Sequence, residues 1–340
     1  MKSHMNSHLN DRATDLLIDW LARQKLGSVL SSGALSLVPI YSDHYQNVAE
    51  YRPLSEAIAV GEVLVTEQSM ATVNTLRVVN KGVLPVLILD GEEVVGGLQN
   101  RVVNTTLLIP AETAFDLPVS CIEHGRWQQS DTAFHAGEAV HPTLRREKSA
   151  QVTASLRTAE APLANQQAIW SEVDARHRAM GTSSATAALR DAYVQRANDL
   201  DHVLSRLAYP SDAPVGVVVL VDGHAECADL FDRPETLRLY WNRLVRSYAL
   251  EALDRKANKP SVDSAARLLR RPGGASLTPF ASVGIGTDVR IMGNGVVGAA
   301  LVHGQSVVHT SLFRHRERGH GSDLQGPRAR ARRLATGKPF

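Results

Sequence analysis

The sequence predicts an α+β protein with largely antiparallel sheets built from hairpins, a helical middle segment and a helix after the second hairpin. Between positions 28 and 120, short runs rich in β-branched residues alternate with Gly, Pro and Asn, and no helical pattern separates them. Strands spaced this closely pair antiparallel, because a parallel connection needs a crossover of about a dozen residues or more. A second series of such runs, over 214–313, indicates the same class.

The sequence predicts three helices in the middle of the chain. A short helix is expected at 143–157 within a polar stretch, and apolar residues at helical spacing predict two more, at 165–180 and 184–207. Gly181 suits the left-handed position that ends the second helix, and Ser183 or Ser184 can cap the third. Asp232 and Glu235 form a variant of the capping box, which predicts that the helix after the second hairpin begins there.

Three dipeptides are typical of two-residue hairpin turns, and they are Asp90-Gly91, Asp222-Gly223 and Asn294-Gly295. The last lies in the string G-N-G-V-V-G at 293–298, which matches a dinucleotide-binding pattern. That pattern must open a helix, whereas strand-like sequence follows here. We therefore interpret 293–298 as a hairpin turn.

The chain divides into an N-terminal helix within 1–27, one α+β domain over 28–313 and a basic tail over 314–340. The domain comprises a β-rich part, a helical insertion and a β/α part, at 28–127, 143–208 and 214–313. The tail has eight Lys or Arg and two acidic residues, so its net charge is +6, and the rest of the chain carries −4 within a total of +2. We expect the tail to be disordered, and we expect no nucleic-acid partner, because no aromatic residues are interleaved with its basic ones.

Composition narrows the function classes. Of the 340 residues, 44% are apolar and 21% are charged, which is ordinary for a globular protein with a sizeable core. The absence of an apolar run approaching the roughly 20 residues of a membrane helix argues against a membrane partner. Two cysteines, Cys121 and Cys227, are too few for a disulfide scaffold and favour a reducing compartment. We therefore expect a cytoplasmic location.

Polar residues are concentrated in the strand-like stretch 89–127, where burying them without partners is costly. Their density predicts either a ligand site or a structural network. Glu92 and Glu123 are the candidate catalytic residues, as a general base or as ligands of a divalent ion. The candidate ligand-binding residues offer donor forks for phosphate and amides for a sugar or base edge, and they are Gln99, Asn100, Arg101, Asn104 and Arg126.

The same residues also fit a purely structural role. Glu92 or Glu123 paired with Arg101 or Arg126 across strands would fix register without any chemistry. Glu92 and Glu93 are adjacent in a strand and should point to opposite faces, so at most one of them should face a given cleft. The residue types alone do not favour the ligand site over the structural network.

No cofactor or metal ion follows from the sequence. The thirteen histidines are scattered, and their spacing does not single out a tetrahedral site. Cys121 lies in an apolar run and is interpreted as a small buried side chain rather than a nucleophile.

Two strings in this stretch resemble a known family. The strings LDGEEVVGGLQNRVVNTTLLIP (89–110) and PVSCIEHGRW (118–127) resemble the ARG-and-Rhodanese-Phosphatase-superfamily-associated protein domain. The segments 229–253 and 296–313 are similar to it as well, so the resemblance covers most of the domain. The family pattern has Ala-Lys before Gln-Asn-Arg, where this chain has Gly97-Leu98. The association with ADP-ribosylglycohydrolases that the family name records implies an ADP-ribose, NAD-derived or nucleotide-like ligand, without implying a mechanism.

Two functional hypotheses result. The first is a cytoplasmic protein that binds such a ligand and, if it is an enzyme, hydrolyses a glycosidic or phosphoester bond in it. The second is a non-catalytic structural or regulatory binding module whose polar strand residues form a cross-strand network. A homo-oligomer is compatible with both hypotheses.

Overall fold

The structure is a computed structural model that describes residues 2–43, 50–68, 74–126, 133–159 and 161–315, with side chains from residue 12 onwards. It confirms the α+β class. Trp127 and the tail from 316 onwards lie outside these ranges, so the expected disorder of the tail stays a prediction. Within the described residues, no helix combines the length and apolar composition needed to cross a membrane.

The described residues form eight α-helices, α1 (Lys2–Ala22), α2 (Leu54–Ala59), α3 (Pro142–Ala159), α4 (Gln166–Met180), α5 (Leu189–Gln195), α6 (Ala197–Arg206), α7 (Pro234–Ala252) and α8 (Val262–Arg270). The first twelve strands are β1 (Lys25–Leu26), β2 (Leu30–Ser32), β3 (Leu35–Tyr41), β4 (Arg52–Pro53), β5 (Val63–Thr66), β6 (Thr75–Asn80), β7 (Val86–Ile88), β8 (Glu92–Val95), β9 (Arg101–Val103), β10 (Leu107–Ile109), β11 (Thr113–Cys121) and β12 (His135–Ala139). The remaining strands are β13 (Gly216–Val221), β14 (His224–Phe231), β15 (Ser276–Ala281), β16 (Thr287–Gly293), β17 (Val296–His303) and β18 (Ser306–Arg314).

The strands form three sheets. The large sheet has the order β1-β3-β13-β14-β18-β17-β16-β15, with β2 paired to β3. A six-stranded sheet has the order β12-β8-β9-β11-β6-β5, and a three-stranded sheet has the order β10-β7-β4. Among the described ladders only the short β4–β7 pair is parallel, which agrees with the predicted antiparallel architecture.

Two of the three predicted hairpin turns are confirmed. Asp222 and Gly223 join β13 to β14 with φ angles of 54° and 77°. Asn294 and Gly295 join β16 to β17 with φ angles of 49° and 68°. Positive φ at both central residues matches the right-handed twist of the flanking strands. The G-N-G-V-V-G string is therefore a hairpin turn and opens no helix.

The prediction of a third hairpin, at Asp90-Gly91, is wrong. Strand β7 pairs with β4 and β10, whereas β8 pairs with β9 and β12, so the dipeptide connects two different sheets. Gly91 has a φ of 84°, and a Cβ there would lie 2.7 Å from Cγ of Arg145. The Glu92 N–H donates to the Leu89 carbonyl at 3.1 Å, so Asp90 and Gly91 form a turn, but this turn is buried against α3 and closes no hairpin.

The middle helices are confirmed in part. α3 and α4 occupy the expected positions, with the Asn165 side chain capping α4 and Gly181 (φ 62°) ending it. The single helix expected over 184–207 is wrong, because the chain breaks at Arg196 (φ −103°) into α5 and α6. Ser184 accepts hydrogen bonds from the N–H groups of Thr186 and Ala188 in the turn before α5 and caps no helix.

The capping box predicted for α7 is also wrong. The helix begins at Pro234, and the residue at its N-cap, Arg233, makes no side-chain cap. The Asp232 carboxylate instead accepts a hydrogen bond of 2.5 Å from the Tyr51 hydroxyl, a partner 181 residues earlier in the chain. A long-range contact therefore replaces the local one.

Helices cover both faces of the large sheet. Trp241 and Tyr248 of α7 are buried in the main hydrophobic core, while Leu17 of α1 and Leu268 of α8 belong to a second core. A third core fills the smaller sheets. α3 packs against β17 and β18, and α7 packs against β12 and β13. These two helices therefore connect the large sheet to the segment that carries the candidate residues.

Candidate functional site

Adjacent strand ends bring five of the predicted residues together. β9 begins at Arg101 and β11 ends at Cys121, and these two residues are paired in the antiparallel ladder. The residues before β9 therefore lie beside the residues after β11, and the Ile122 N–H donates to the Asn100 carbonyl at 3.1 Å. We call the resulting group the strand-end cluster, and it consists of Glu67, Gln99, Asn100, Arg101, Glu123 and Arg126.

Within the cluster, Glu123 is fully engaged by protein donors. Arg126 donates from Nε at 3.0 Å and from Nη2 at 2.7 Å, the Thr186 hydroxyl donates at 2.7 Å and the Asn100 N–H donates at 3.1 Å. Burial alone would raise the pKa of Glu123, but Arg126, Thr186 and the Asn100 N–H together lower it below its ordinary value. Glu123 is therefore an ionised carboxylate and not a proton donor at neutral pH.

Arg126 also fixes the loop before β9. Its Nη1 donates to the Gly97 carbonyl at 2.7 Å and its Nη2 to Asn100 Oδ1 at 3.2 Å. Gly97 has a φ of +55°, and a Cβ there would lie 2.4 Å from Cζ of Phe134 and 2.7 Å from Glu67 Oε1. A side chain at this position would therefore require a strained backbone and a shift of Phe134 and Glu67.

Arg101 is the least satisfied member of the cluster. Its side chain is 2% exposed, its Nη1 donates to the Gln99 carbonyl at 2.8 Å, and its ion pair with Glu67 is long, at 3.5 Å. Arg101 Nε, Gln99 Nε2 and Glu67 Oε2 are buried and have no hydrogen-bond partner among the described residues. The cluster therefore presents two unused donors and one unused acceptor.

Glu67 was missed by the sequence analysis. It follows the run V-L-V-T of β5, far from the stretch 89–127, and its Oε1 accepts from the Leu98 N–H at 3.1 Å. A single acidic residue after an edge strand gives no local signal of such a role.

Glu92 lies outside the cluster. Its Oε1 accepts from Arg243 of α7 at 2.8 Å, and its Oε2 accepts from the Leu89 N–H at 3.2 Å and from the Tyr240 hydroxyl at 3.5 Å. The cross-strand pair proposed for Glu92 with Arg101 or Arg126 therefore does not form, because an arginine of a distant helix takes its place.

Glu93 points towards different neighbours, as the alternation along β8 requires. Its Oε2 accepts from the Glu138 N–H at 3.2 Å and lies 3.7 Å from Nη1 of Arg190, while its Oε1 has no partner among the described residues. Burial raises the pKa of Glu93 to about 7, although Arg190 and the Glu138 N–H oppose this. Glu92 and Glu93 are both buried, and their side chains have different partners, which agrees with the expectation that at most one of them faces a given cleft.

Asn104 has a structural environment. Its Nδ2 donates to the Pro162 carbonyl at 3.0 Å, and its Oδ1 accepts from the Ser120 hydroxyl at 2.8 Å. These bonds hold β9 to β11 and to the loop before α4, away from the strand-end cluster.

A second polar group, which we call the central network, was not predicted. It joins the segment after β7 to α3, α7 and the large sheet, and it consists of Asp90, Thr106, Arg145, Lys148, Asp229, Tyr248 and His309. Asp229 accepts from Arg145 at 2.7 and 2.8 Å, from Tyr248 at 2.5 Å and from His309 at 3.1 Å. Burial acts to raise the pKa of Asp229, but Arg145 and His309 hold it well below its usual range.

Lys148 completes the central network. Its ammonium group is bonded to Asp90 and to the Asn104 carbonyl, the latter at 3.0 Å, and its side chain is fully buried. Since each of these charges has a close partner of opposite sign, the network fits a structural role at the junction of the sheets.

Among the described residues, no group of three or more His, Cys, Asp or Glu side chains could hold a metal ion. The side chains of Cys121 and Cys227 are buried, and burial raises the pKa of both thiols. Cys121 is therefore a packing residue, as expected.

The comparisons with known proteins give one finding. Residues 23–313 match the family model described as ARG and Rhodanese-Phosphatase-superfamily-associated Protein domain. Neither the comparison with curated proteins nor the comparison with solved structures gave a match. Because the family model spans most of the chain, the protein belongs to the ARG and Rhodanese-Phosphatase-superfamily-associated Protein domain family.

Proposed function

We propose that the protein binds a nucleotide-like ligand, of the ADP-ribose or NAD-derived class, at the strand-end cluster. The single observation that carries this proposal is the charge on Arg101. A buried guanidinium normally has a close anionic partner, whereas the carboxylate beside Arg101 is 3.5 Å away and its Nε is unbonded. A ligand phosphate would supply the missing anion, since arginine binds phosphate through a planar fork of donors.

The other unused atoms fit the same ligand class. Gln99 Nε2 is a second donor beside Arg101, and Glu67 Oε2 is an acceptor for a hydroxyl group. A phosphate next to a ribose offers this combination of acceptors and donors. Leaving a polar atom buried without a partner costs about 1–3 kcal/mol, so a ligand that satisfies several of them gains that energy on binding.

Binding is better supported than hydrolysis. Glu92 and Glu123, the candidate catalytic residues, already accept hydrogen bonds from protein donors on both oxygens. A general base needs a free oxygen within reach of the proton that it abstracts. Hydrolysis of a glycosidic or phosphoester bond therefore stays the secondary form of the proposal. It is tested by comparing the release of hydrolysis product by the wild-type chain and by Glu123→Gln.

A specific observation favours the structural alternative. The ion pairs Glu123–Arg126 and Glu92–Arg243 have N–O distances of 2.7 and 2.8 Å and are largely buried. Under this alternative the cluster only fixes the ends of β9 and β11. Substitutions there would then lower the melting temperature, and no ligand would raise it.

The test is a calorimetric titration of ADP-ribose, NAD and AMP against the full chain. Arg101→Lys keeps the charge but removes Nε and the fork, so we expect the affinity for ADP-ribose to fall at least about tenfold, or about 1.4 kcal/mol. Arg77→Lys is the matched control, because Arg77 forms an exposed pair with Asp116 on neighbouring strands. Equal affinities for the two variants, or no binding by the wild-type chain, would contradict the proposal.

A second variant separates ligand binding from folding. Gln99→Leu removes the unbonded amide donor at nearly constant side-chain volume. The variant should keep an unfolding free energy within about 1 kcal/mol of the wild-type value, while its affinity for ADP-ribose falls. A cytoplasmic location also stays a prediction, and it is supported by the small number of cysteines, because proteins of oxidising compartments are often rich in disulfides.

A further inference from the structure

The segment 184–190, which we call the strap, leads into α5 and is attached to the residues after β11. The Thr186 hydroxyl donates to Glu123 Oε1 at 2.7 Å, and the Gly125 N–H donates to the Thr186 carbonyl at 2.8 Å. The Leu189 N–H donates at 3.1 Å to the carbonyl of the residue directly before Glu123. The strap is therefore bonded at three points beside the strand-end cluster.

The strap is held by local bonds and contains one strained residue. Ala187 has a φ of 50°, a left-handed conformation that costs a residue with a Cβ about 1–2 kcal/mol. His177 of α4 donates from Nε2 to the Ala188 carbonyl at 3.0 Å. Each hydrogen bond contributes only about 0.5–1.5 kcal/mol net, so the strap can detach while the sheets stay folded.

The strap ends at Arg190, which faces the buried carboxyl group of Glu93. Nη1 of Arg190 lies 3.7 Å from Glu93 Oε2, and the side chains are 40% and 3% exposed, respectively. Glu93 Oε2 accepts from the Glu138 N–H at 3.2 Å, and a Cβ at Gly137 would lie 2.4 Å from the same oxygen. Glu93 Oε1 has no hydrogen-bond partner among the described residues.

The charged and titratable groups around Glu93 come from three elements. Arg190 and Tyr193 belong to α5, Glu138 to β12, and Glu123 to the segment after β11. The Tyr193 hydroxyl donates to a backbone carbonyl of β12 at 2.7 Å. Burial raises the pKa of Glu93 to about 7, Arg190 and the Glu138 N–H oppose this, and the charges of Glu138 and Glu123 reinforce it.

We propose that the strap covers the strand-end cluster and opens when Glu93 ionises. Opening moves Arg190 away and lets water reach the Glu93 carboxylate, and it releases Thr186 from Glu123. The unused atoms of the cluster are buried, so a ligand reaches them only when a neighbouring segment moves. This role in ligand entry rests on the proposed function, whereas the opening itself does not.

The direction of the pH effect follows from linkage. In the closed state the pKa of Glu93 is about 7, and in the open, solvated state it returns towards its ordinary value of 4.5. The proton therefore favours the closed state, and this preference is lost as the pH rises through 7. The equilibrium constant for opening should rise about tenfold between pH 6 and pH 8.

Hydrogen exchange of the full chain without ligand measures the opening. The Gly125 and Leu189 amides, whose bonds attach the strap, should lose about tenfold in protection factor between pH 6 and pH 8, after correction for intrinsic rates. The amide of Val219 in the central strand β13 reports global unfolding. The strap amides should exchange at least about a hundredfold faster than it does, and equal protection would overturn the proposal.

Variants assign the pH dependence to Glu93. In Glu93→Gln, which cannot ionise, the protection of the strap amides should change less than about twofold over the same range. Arg190→Gln removes a charge that opposes the raised pKa, so protection should level off at a higher pH than in the wild type. A dependence kept in Glu93→Gln would assign it to another group, such as His177, and would overturn the proposal.

Glu172→Gln is the matched control. Burial raises the pKa of Glu172 to about 7 as well, but its charged neighbours are Arg176 at 3.5 Å and His141 at 3.7 Å, away from the strap. This variant should keep the wild-type pH dependence of the strap amides. Its loss there would mean that the dependence is a property of buried carboxyl groups in general and not of Glu93.

Stopped-flow binding of ADP-ribose tests the covering role. The association rate constant should rise about tenfold between pH 6 and pH 8 in the wild type and stay within about twofold in Glu93→Gln. A wild-type rate constant that does not change with pH would overturn the covering role. If the wild type binds no ADP-ribose, the proposed function fails, and hydrogen exchange still decides whether Glu93 controls the strap.

Discussion

Asp229→Asn should destabilise the protein more than a typical point substitution. The change removes the negative charge at the centre of the central network while preserving the shape of the side chain. Asp229 is fully buried, and it accepts two hydrogen bonds from Arg145 and one each from Tyr248 and His309. An asparagine has one acceptor oxygen and cannot serve all four donors.

The expected cost follows from the ion pair. Arg145 is fully buried, so Asp229→Asn leaves its guanidinium without its closest carboxylate. The remaining one, Asp90, lies 3.7 Å from Nε and is already bonded to Lys148. Breaking a buried pair by removing one partner costs about 3–5 kcal/mol. Domains of ordinary size are stable by about 5–15 kcal/mol, so the substitution removes a large share of the folding free energy.

Urea unfolding at pH 7, followed by tryptophan fluorescence, measures the cost. The control is Asp116→Asn, whose ion pair with Arg77 is exposed and should contribute less than about 1 kcal/mol. The folded-state pKa of Asp229 is lowered, so its contribution is present above the unfolded pKa of about 3.9 and is lost as the pH falls below it. A loss below about 1 kcal/mol at pH 7 would refute the assignment of the central network to stability.

Three further predictions concern local features. Gly97→Ala should lower the free energy of unfolding in urea by at least about 1 kcal/mol more than Gly33→Ala does. Both glycines have a positive φ, but only the Cβ added at Gly97 meets neighbours within 4 Å, so equal losses for the two variants would contradict this reasoning. Glu93 has its pKa raised to about 7, so its contribution is full below its unfolded pKa and is lost as the pH rises through 7. Glu93→Gln should therefore gain stability relative to the wild type between pH 5 and pH 8, and a constant difference would be inconsistent with the raised pKa. Asn165→Ala removes the side-chain cap of α4 and should lower the free energy of unfolding by about 1 kcal/mol. An unchanged melting temperature would contradict this prediction.

Local sequence signals predicted the parts of the fold that depend on neighbours in the chain. Asp222-Gly223 and Asn294-Gly295 form the expected hairpins, because Asp, Asn and Gly tolerate the positive φ angles that such a turn requires. Asp90-Gly91 has the same chemistry, yet its flanking strands belong to different sheets. Strand β12, with the sequence HAGEA, was missed because it has no β-branched residue and depends on its pairing with β8.

The central network could not be predicted, because its members are far apart in the sequence. Arg145 meets Asp229 84 residues away, and Lys148 meets Asp90 58 residues away. One signal was present, because Arg145 and Lys148 occupy the same helical face as the buried Val152. Basic residues on a buried face require acidic partners, but the sequence does not identify which acids these are.

The two buried arginines Arg101 and Arg145 separate the ligand hypothesis from the structural one. Arg145 has a carboxylate at 2.7 Å, whereas the pair of Arg101 with Glu67 is 3.5 Å long. Arg145→Met should therefore cost about 3–5 kcal/mol in urea unfolding. Arg101→Met should cost less than about 1.5 kcal/mol, because a buried charge whose nearest carboxylate is 3.5 Å away is replaced by an apolar side chain of similar length. Equal costs would mean that the charge of Arg101 is fully used within the protein, and the strand-end cluster would then have no unsatisfied cation to attract a phosphate.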